Sequence, residues 1–242
     1  MEYVIALVLV VFGAAVTIPA FGILQRRKLI QMMETSRIGT HPRGYVELKG
    51  RIDPIEALES PYAQKPCVYY RFQVQEHRRR GKHSHWVTVR SGSDSRPFLL
   101  DDGSGVAWID PSGAEVDLRQ DASAHTGFFG NSDELSAFLA RVRVESRGFF
   151  GFSNNIRVTE SFLSPGDELY VLGRSEEPDP QRGQPPESGA ALYGKGEKNL
   201  FISDASEESL VTRLLGKAIL HFLGGGVLAA AGAAVAWFHA TG

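Results

Sequence analysis

KPCVYYRFQV, residues 65–74, alternates in character with a period of two. Val68, Tyr70, Phe72 and Val74 fall on one side; Cys67, Tyr69, Arg71 and Gln73 fall on the other. Successive side chains on a strand point to opposite faces, so this pattern predicts a half-buried β-strand. The same rhythm recurs around it. WVTVR at 86–90 alternates likewise, and PFLLDDGSGVAWIDPSGAEV at 97–116 places Asp102-Gly103 between two apolar runs, a tight-turn signal. Asp110-Pro111-Ser112-Gly113 marks a second turn. Strands resume at 155–163 and 168–174, joined by Ser164-Pro165-Gly166-Asp167, and a last one is expected at 199–204. Several short strands divided by turns predict a mainly β fold, a compact antiparallel β-barrel or sandwich.

One segment inside this region has the helical period. In NSDELSAFLARVRVE, 131–145, Leu135, Phe138, Leu139 and Val142 repeat at i, i+3, i+4 and i+7, with Asn131 and Glu134 as a capping pair. Residues 174–199, rich in Pro, Gly and charge, show no apolar period and read as a mobile loop between two strands. The β domain is thus expected over 44–205.

The ends differ. Residues 3–24 carry no charge, and at about 1.5 Å per residue they cross a hydrocarbon core of about 30 Å. Glu2 precedes the run and Arg26, Arg27 and Lys28 follow it, which favours a retained anchor over a cleaved signal. The N-terminal helix and its juxtamembrane extension are assigned to 1–35. Residues 218–238 form a second uncharged run apart from His221, and lie in a C-terminal helical segment at 206–242. Small residues four apart, Gly225 with Ala229 and Gly226 with Ala230, allow close helix approach in lipid, so homo-oligomerisation through these faces is a further expectation. Arg26, Arg27, Lys28 and Arg37 after the first run, with Arg213 and Lys217 before the second, place the middle of the chain on the cytoplasmic side. The expected protein is an integral membrane protein with two spans flanking a β domain.

Composition narrows the function. A net charge of −2 argues against bulk affinity for nucleic acid. Cys67 is the only cysteine, so no internal disulfide can form; it is read as a structural residue of a strand, not a working thiol. EHRRRGKHSHW, 76–86, is read as a solvated hairpin tip. His77, His83 and His85 are weak metal candidates without a completing carboxylate or thiolate, and Arg78, Arg79 and Arg80 are candidate contacts for anionic lipid or an acidic partner. Phe128, Phe129, Phe149 and Phe150, in two GFFG sequences, are candidates for lipid or partner contact, against the alternative of sealing the core. No nucleophile elbow, metalloprotease helix or phosphate loop is present, and no catalytic residue or cofactor is assigned. Asp101-Asp102 is read as a pair of solvated turn acids. Glu160 interrupts an apolar face and, if it points inward, needs a partner such as an Arg.

SPYAQKPCVYYRFQV (60–74), PFLLDDGSG (97–105), VTESFLSPGDELYVLG (158–173) and FISDASEESL (201–210) together resemble the GIDE domain, also called BAM for "beside a membrane". The resemblance covers roughly residues 44–215. It implies a domain flanked by two transmembrane segments, and in the ligase members an E3 ubiquitin ligase activity carried by a RING domain after the second span. A RING holds two zinc ions with about four Cys and His ligands each. This sequence reaches Gly242 with one cysteine, so no pair of thiolate zinc sites is built from it. In the mitochondrial ligase of the family the domain faces the intermembrane space, whereas the charges here favour a cytoplasmic face. Three functions follow as expectations. The favoured one is a non-catalytic binding or scaffold module beside the bilayer, with an unknown protein partner. The second is a component of a ubiquitin-ligase system that needs a separate catalytic chain. The third is an enzyme whose site no motif reveals.

Overall fold

The computed structural model describes residues 2–80, 83–125, 133–144, 155–185, 188–194, 200–205 and 207–241. In chain order the elements are α1 (Glu2–Met32), β1 (Gly44–Pro54), β2 (Leu58–Glu59), β3 (Pro66–Cys67), β4 (Tyr69–Arg80), β5 (His83–Ser95), β6 (Phe98–Asp101), β7 (Val106–Asp110), β8 (Glu115–Asp117), β9 (Ala122–His125), α2 (Asp133–Arg141), β10 (Ile156–Leu163), β11 (Glu168–Glu176), β12 (Ser188–Tyr193), β13 (Phe201–Ser203) and α3 (Glu207–Thr241). They divide into two compact units: residues 35–205, which carry all the strands, and the two terminal helices.

The larger unit is built on a closed barrel. Five strands run β1, β6, β7, β12 and β11, and β11 pairs back onto β1. Four of the five pairings are antiparallel; β12 runs parallel to β7. Inside pack Val46, Leu48, Phe98, Leu100, Ile109 and Val171 with their neighbours, all buried. Closure leaves these strands without a free edge, which satisfies their backbone groups and removes a route to aggregation. On β11, β13 and β8 continue the sheet outside the barrel.

A second sheet of four strands has the order β5-β4-β10-β9. α2 lies across one of its faces. The apolar stripe Leu135, Phe138, Leu139 and Val142 meets Phe72, Val74, Ile156 and Val158. Phe138 packs edge-on against Phe72 and Tyr62, with ring centroids 5.5 and 5.4 Å apart. Gly92 on β5 leaves room for the Phe72 ring, since a Cβ there would come within 2.7 Å of it.

The stretch 174–199 departs from its expectation as one mobile loop. β11 continues through Glu176, and Ser188–Tyr193 is a barrel strand with Ala190, Ala191 and Leu192 wholly buried. Between them Pro180–Arg182 forms a short 3-10 turn, with Asp179 accepting from the Gln181 amide. Leu192 belongs to the barrel core, so the segment is part of the closure. The helix expected over 131–145 is observed over Asp133–Arg141; Asn131, its expected cap, lies outside the described residues.

In the other unit α1 and α3 pack as an antiparallel pair. A Cβ at Gly13 would meet the Gly225 carbonyl oxygen at 2.7 Å, and one at Gly225 would meet the Gly13 oxygen at 2.6 Å and the Thr17 methyl at 2.3 Å. Gly232 sits equally close to Ala6. Backbones this near gain dispersion and admit no side chain between them. Phe21 and Phe222 meet edge to face at 5.4 Å, and His221 Nδ1 lies 3.1 Å from the Val16 carbonyl oxygen. The Gly225 face is therefore occupied within the chain. Gly226 faces open space. Both helices are long and apolar enough to cross a membrane, with mean hydropathy 2.7 over the N-terminal candidate and 1.8 over the C-terminal one. Leu7, Val8, Phe12, Leu220, Leu223 and Val227 are exposed on them, the reverse of what a soluble core helix shows.

Candidate functional site

Residue types that do chemistry are mostly committed to the scaffold. Glu160, on the α2-covered face, is 1% exposed. Its two oxygens accept from the backbone amides of Tyr62 and Ala63 at 2.9 and 2.8 Å. Its partner is thus a turn of the chain, not an arginine. That turn is shaped by Gln64 in the left-handed region (φ 53°) and by Ser60, whose amide donates to the Lys65 carbonyl and whose Oγ accepts from the Lys65 amide. Two convergent amides form a nest that favours an anion. Arg141 at the end of α2 donates to the Pro61 carbonyl at 2.7 Å, tying the helix to the same turn.

Cys67 lies beside this arrangement and is fully buried. Burial first, then the charges of Glu160, Asp94 and Glu59, push its thiol up to about 11. A thiol that high holds little thiolate at neutral pH and is not a nucleophile.

Glu47 on β1 is equally buried. Tyr170 OH donates to one oxygen at 2.7 Å and Thr35 Oγ1 to the other at 2.6 Å, with Lys49 Nζ at 3.3 Å. Asp102 is not a freely solvated turn acid. Its Oδ1 accepts from the Ser104 amide, the Ser104 hydroxyl and the Gly105 amide; its Oδ2 accepts from the Ile38 amide at 2.8 Å. Burial alone would raise this carboxyl, but the bonds from Ile38, Ser104 and Gly105 outweigh it and hold it below the usual carboxylate range. A depressed carboxyl stabilises the fold at pH values above its unfolded value, roughly 4, and that contribution is lost as pH falls through the lower folded value. Asp102→Asn should therefore unfold at lower temperature than wild type at pH 7, by about 1–2 kcal/mol for lost charged acceptors on a partly exposed turn. The two curves should draw together in a melting series as pH falls through the lowered folded value.

The open chemistry lies on the other face of the four-stranded sheet. Register places Arg71 opposite Ser161, Gln73 opposite Thr159, and Gln75 opposite Arg157 on β4 and β10. On β5, Ser93, Ser91, Thr88 and Trp86 stand opposite Arg71, Gln73, Gln75 and His77. The Arg157 guanidinium stacks 4.5 Å from the Trp86 ring and donates twice to Gln75 Oε1, at 3.0 and 2.6 Å. His77 meets the same Trp86 at 5.0 Å. A cavity of about 320 Å³ opens on this face, lined by the side chains of Arg71, Gln73, Thr159, Ser161, Gln120 and Leu118. Asp121, near the cavity, has its Oδ2 occupied by the Phe162 amide. Burial first, then Asp204 and Asp167, keep its carboxyl above the usual range despite the Phe162 and Arg119 contributions.

Residues 76–80 and 83–87 pair as a two-stranded ribbon at the end of this sheet. Its three histidines do not converge. His77 pairs with Trp86, while His85 and His83 pair with Arg78 and Arg80 and so point to the opposite face. Among the described residues no group of three or more His, Cys, Asp or Glu side chains is placed to hold a metal ion. Arg78 is ion-paired with Glu76 at 2.7 Å, and Arg79 is exposed. The Arg80 side chain and Phe128, Phe129, Phe149 and Phe150 lie outside what the structure describes. Sequence reading passed over Arg157, Trp86 and the polar set around Arg71. The available signal was alternation: every second residue from Arg71 to Gln75, and from Arg157 to Ser161, is polar.

The paired motifs gain a physical meaning here. Glu160 of the 158–173 stretch is held by Tyr62 and Ala63 of the 60–74 stretch, and Asp102 of the 97–105 stretch closes its own turn. Ser203 of the last stretch donates to the Asp117 carbonyl at 2.9 Å. No curated protein and no solved structure matches the chain. The family model for GIDE, described as E3 ubiquitin ligase, matches residues 69–236. From the fourth strand through most of the last helix the chain follows that pattern, and it belongs to the GIDE family.

Proposed function

We propose that this protein is a membrane-anchored, non-catalytic binding module, in which α1 and α3 hold the GIDE barrel beside a bilayer on its cytoplasmic side and the uncovered face of the four-stranded sheet receives a protein partner. The observation that carries this reading is the contrast between two sets of polar groups. Glu160, Glu47, Asp102 and Cys67 are spent inside the scaffold. Arg71, Gln73, Thr159 and Ser161 stand around an open cavity, and Trp86, a residue type that binding surfaces favour, lies further along the same face. The basic residues flanking the two apolar runs support the cytoplasmic side. A second copy packing on the open Gly226–Ala230 face is compatible with this arrangement.

The family's description favours a second reading, a role within a ubiquitin-ligase system. Its catalytic zinc module would then come from outside these 242 residues, which hold one cysteine.

One substitution tests the proposal. Ser91 is exposed and stands opposite Gln73 on the uncovered face, while the native thiol is buried. Ser91→Cys should react with an impermeant maleimide only in vesicles that expose the cytoplasmic side, and wild type should stay unlabelled. Carrying a benzophenone maleimide, the same position should give discrete adducts on illumination in native membranes. Labelling from the opposite side, release of the protein by alkaline carbonate, or absence of adducts would each overturn the proposal. An adduct with a ubiquitin-system protein would select the second reading.

A further inference from the structure

We infer that the cavity on the uncovered sheet face is a receptor for a carboxylate, the acidic side chain of an extended partner segment; this deepens the binding-module reading and rests on it. Four of its polar side chains form a rectangle fixed by strand register. Arg71 is opposite Ser161 and Gln73 is opposite Thr159. Cross-strand neighbours of this kind have Cβ atoms about 5 Å apart, and the two pairs are about 7 Å apart along the strands. Gln120 completes the rim and Leu118, under 10% exposed, lines the cavity beneath it, while the Phe72 ring turns to the α2 side.

None of these five polar side chains has a hydrogen bond or ion pair within the described protein. Arg71 is exposed and its fork of donors is unspent, although three glutamates and aspartates elsewhere in the unit are tightly held. Two hydroxyls and two carboxamides supply further donors around one guanidinium. This is the donor set of a carboxylate site: one positive charge for one negative, with a planar fork that accepts both oxygens. Among the described residues no carboxylate lines the cavity to compete. A dianionic phosphate would find a single cation, half of what its charge calls for.

The same face carries a second cation at a defined distance. Gln75, which anchors Arg157, lies four residues along β4 from Arg71, about 13 Å away at strand rise. The Arg157 guanidinium lies over the Trp86 ring, 4.5 Å from its centroid. An extended segment has the same rise, so acidic residues four positions apart would reach Arg71 and Arg157 together. Salt should weaken such binding, because both cations are near the surface.

The test uses the full chain in nanodiscs and a defined probe, a heptapeptide with two glutamates four positions apart and threonines elsewhere. Calorimetric titration at low salt should show saturable binding. Arg71→Gln should weaken it at least tenfold with no change in melting temperature, since Arg71 has no partner to lose. Ser161→Ala should weaken it several-fold, and replacing both peptide glutamates with glutamine should abolish it. Equal affinity for wild type and Arg71→Gln, no binding of the peptide, or tighter binding of inorganic phosphate than of the peptide would overturn the inference. Persistent Ser91→Cys adducts with no peptide binding would remove this ligand assignment and leave the binding-module reading standing; loss of the adducts as well would remove both.

Discussion

Glu160→Ala is expected to lower the melting temperature of the barrel unit by about 6–12 °C, corresponding to about 3 kcal/mol in a unit of this size. The substitution removes an acceptor and leaves two donors stranded. Tyr62 and Ala63 point their amides at the carboxylate from 2.9 and 2.8 Å, in a place where Glu160 is 1% exposed and water has no ready access. A buried amide without a partner costs about 1–3 kcal/mol, and charged acceptors sit at the upper end. The loss also spreads. The turn at 60–65 carries the Pro61 carbonyl that receives Arg141, and Tyr62 packs on Phe138, so loosening the turn releases the anchor of α2. Glu160→Gln separates charge from acceptor. It retains one carbonyl oxygen and should cost about half as much. Both variants remove the charge that ranks second, after burial, among the causes holding the Cys67 thiol high. The thiol should therefore react faster with a small maleimide at pH 9 in Glu160→Gln than in wild type, even where the fold is retained. A melting temperature within 2 °C of wild type for Glu160→Ala would show that water replaces the carboxylate and that the nest is dispensable.

How far the sequence displays this architecture depends on how each element is buried. β4 and β10 are covered on one face by α2 and open on the other, so their alternation is plain in the text. α2 itself shows its stripe for the same reason. Glu160 was visible as an intruder on an apolar face, but its partner was not. Backbone amides carry no letter, and the nest depends on Gln64 adopting a left-handed conformation that its identity does not announce. The candidate cavity was hidden differently. Its residues lie on β4, β10 and the segment before β9, and their union depends on which strand pairs with which. Charge drew attention instead to Arg78, which is neutralised by Glu76.

The strand at 188–193 was concealed by its own environment, and this leads to the most disruptive substitution. SGAALY shows no alternation because both of its faces are buried, and its small residues serve contact rather than volume. A Cβ on Gly189 would stand 2.3 Å from the Ile38 carbonyl oxygen, so only glycine lets the 3-10 turn at Ile38–Thr40 lie against the strand. Ala190 and Leu192 face the barrel core, and Tyr193 packs on Trp108 at 5.4 Å. Leu192→Asp is expected to abolish the folded barrel. It deletes a fully buried leucine, worth about 2–5 kcal/mol as a cavity alone, and introduces a polar group with no hydrogen-bonding partner, adding about 2 kcal/mol or more. The sum reaches the whole stability of an ordinary domain, about 5–15 kcal/mol. Leu192→Ala, which only opens the cavity, should fold with a lowered urea midpoint, read by the fluorescence of Trp108. Gln181→Asp, on the exposed 3-10 turn, changes a side chain in solvent and should leave the midpoint unmoved. Were residues 174–199 a loop throughout, the two aspartates would behave alike. A barrel closed by β12 requires that the one at 192 unfold the protein and the one at 181 go unnoticed.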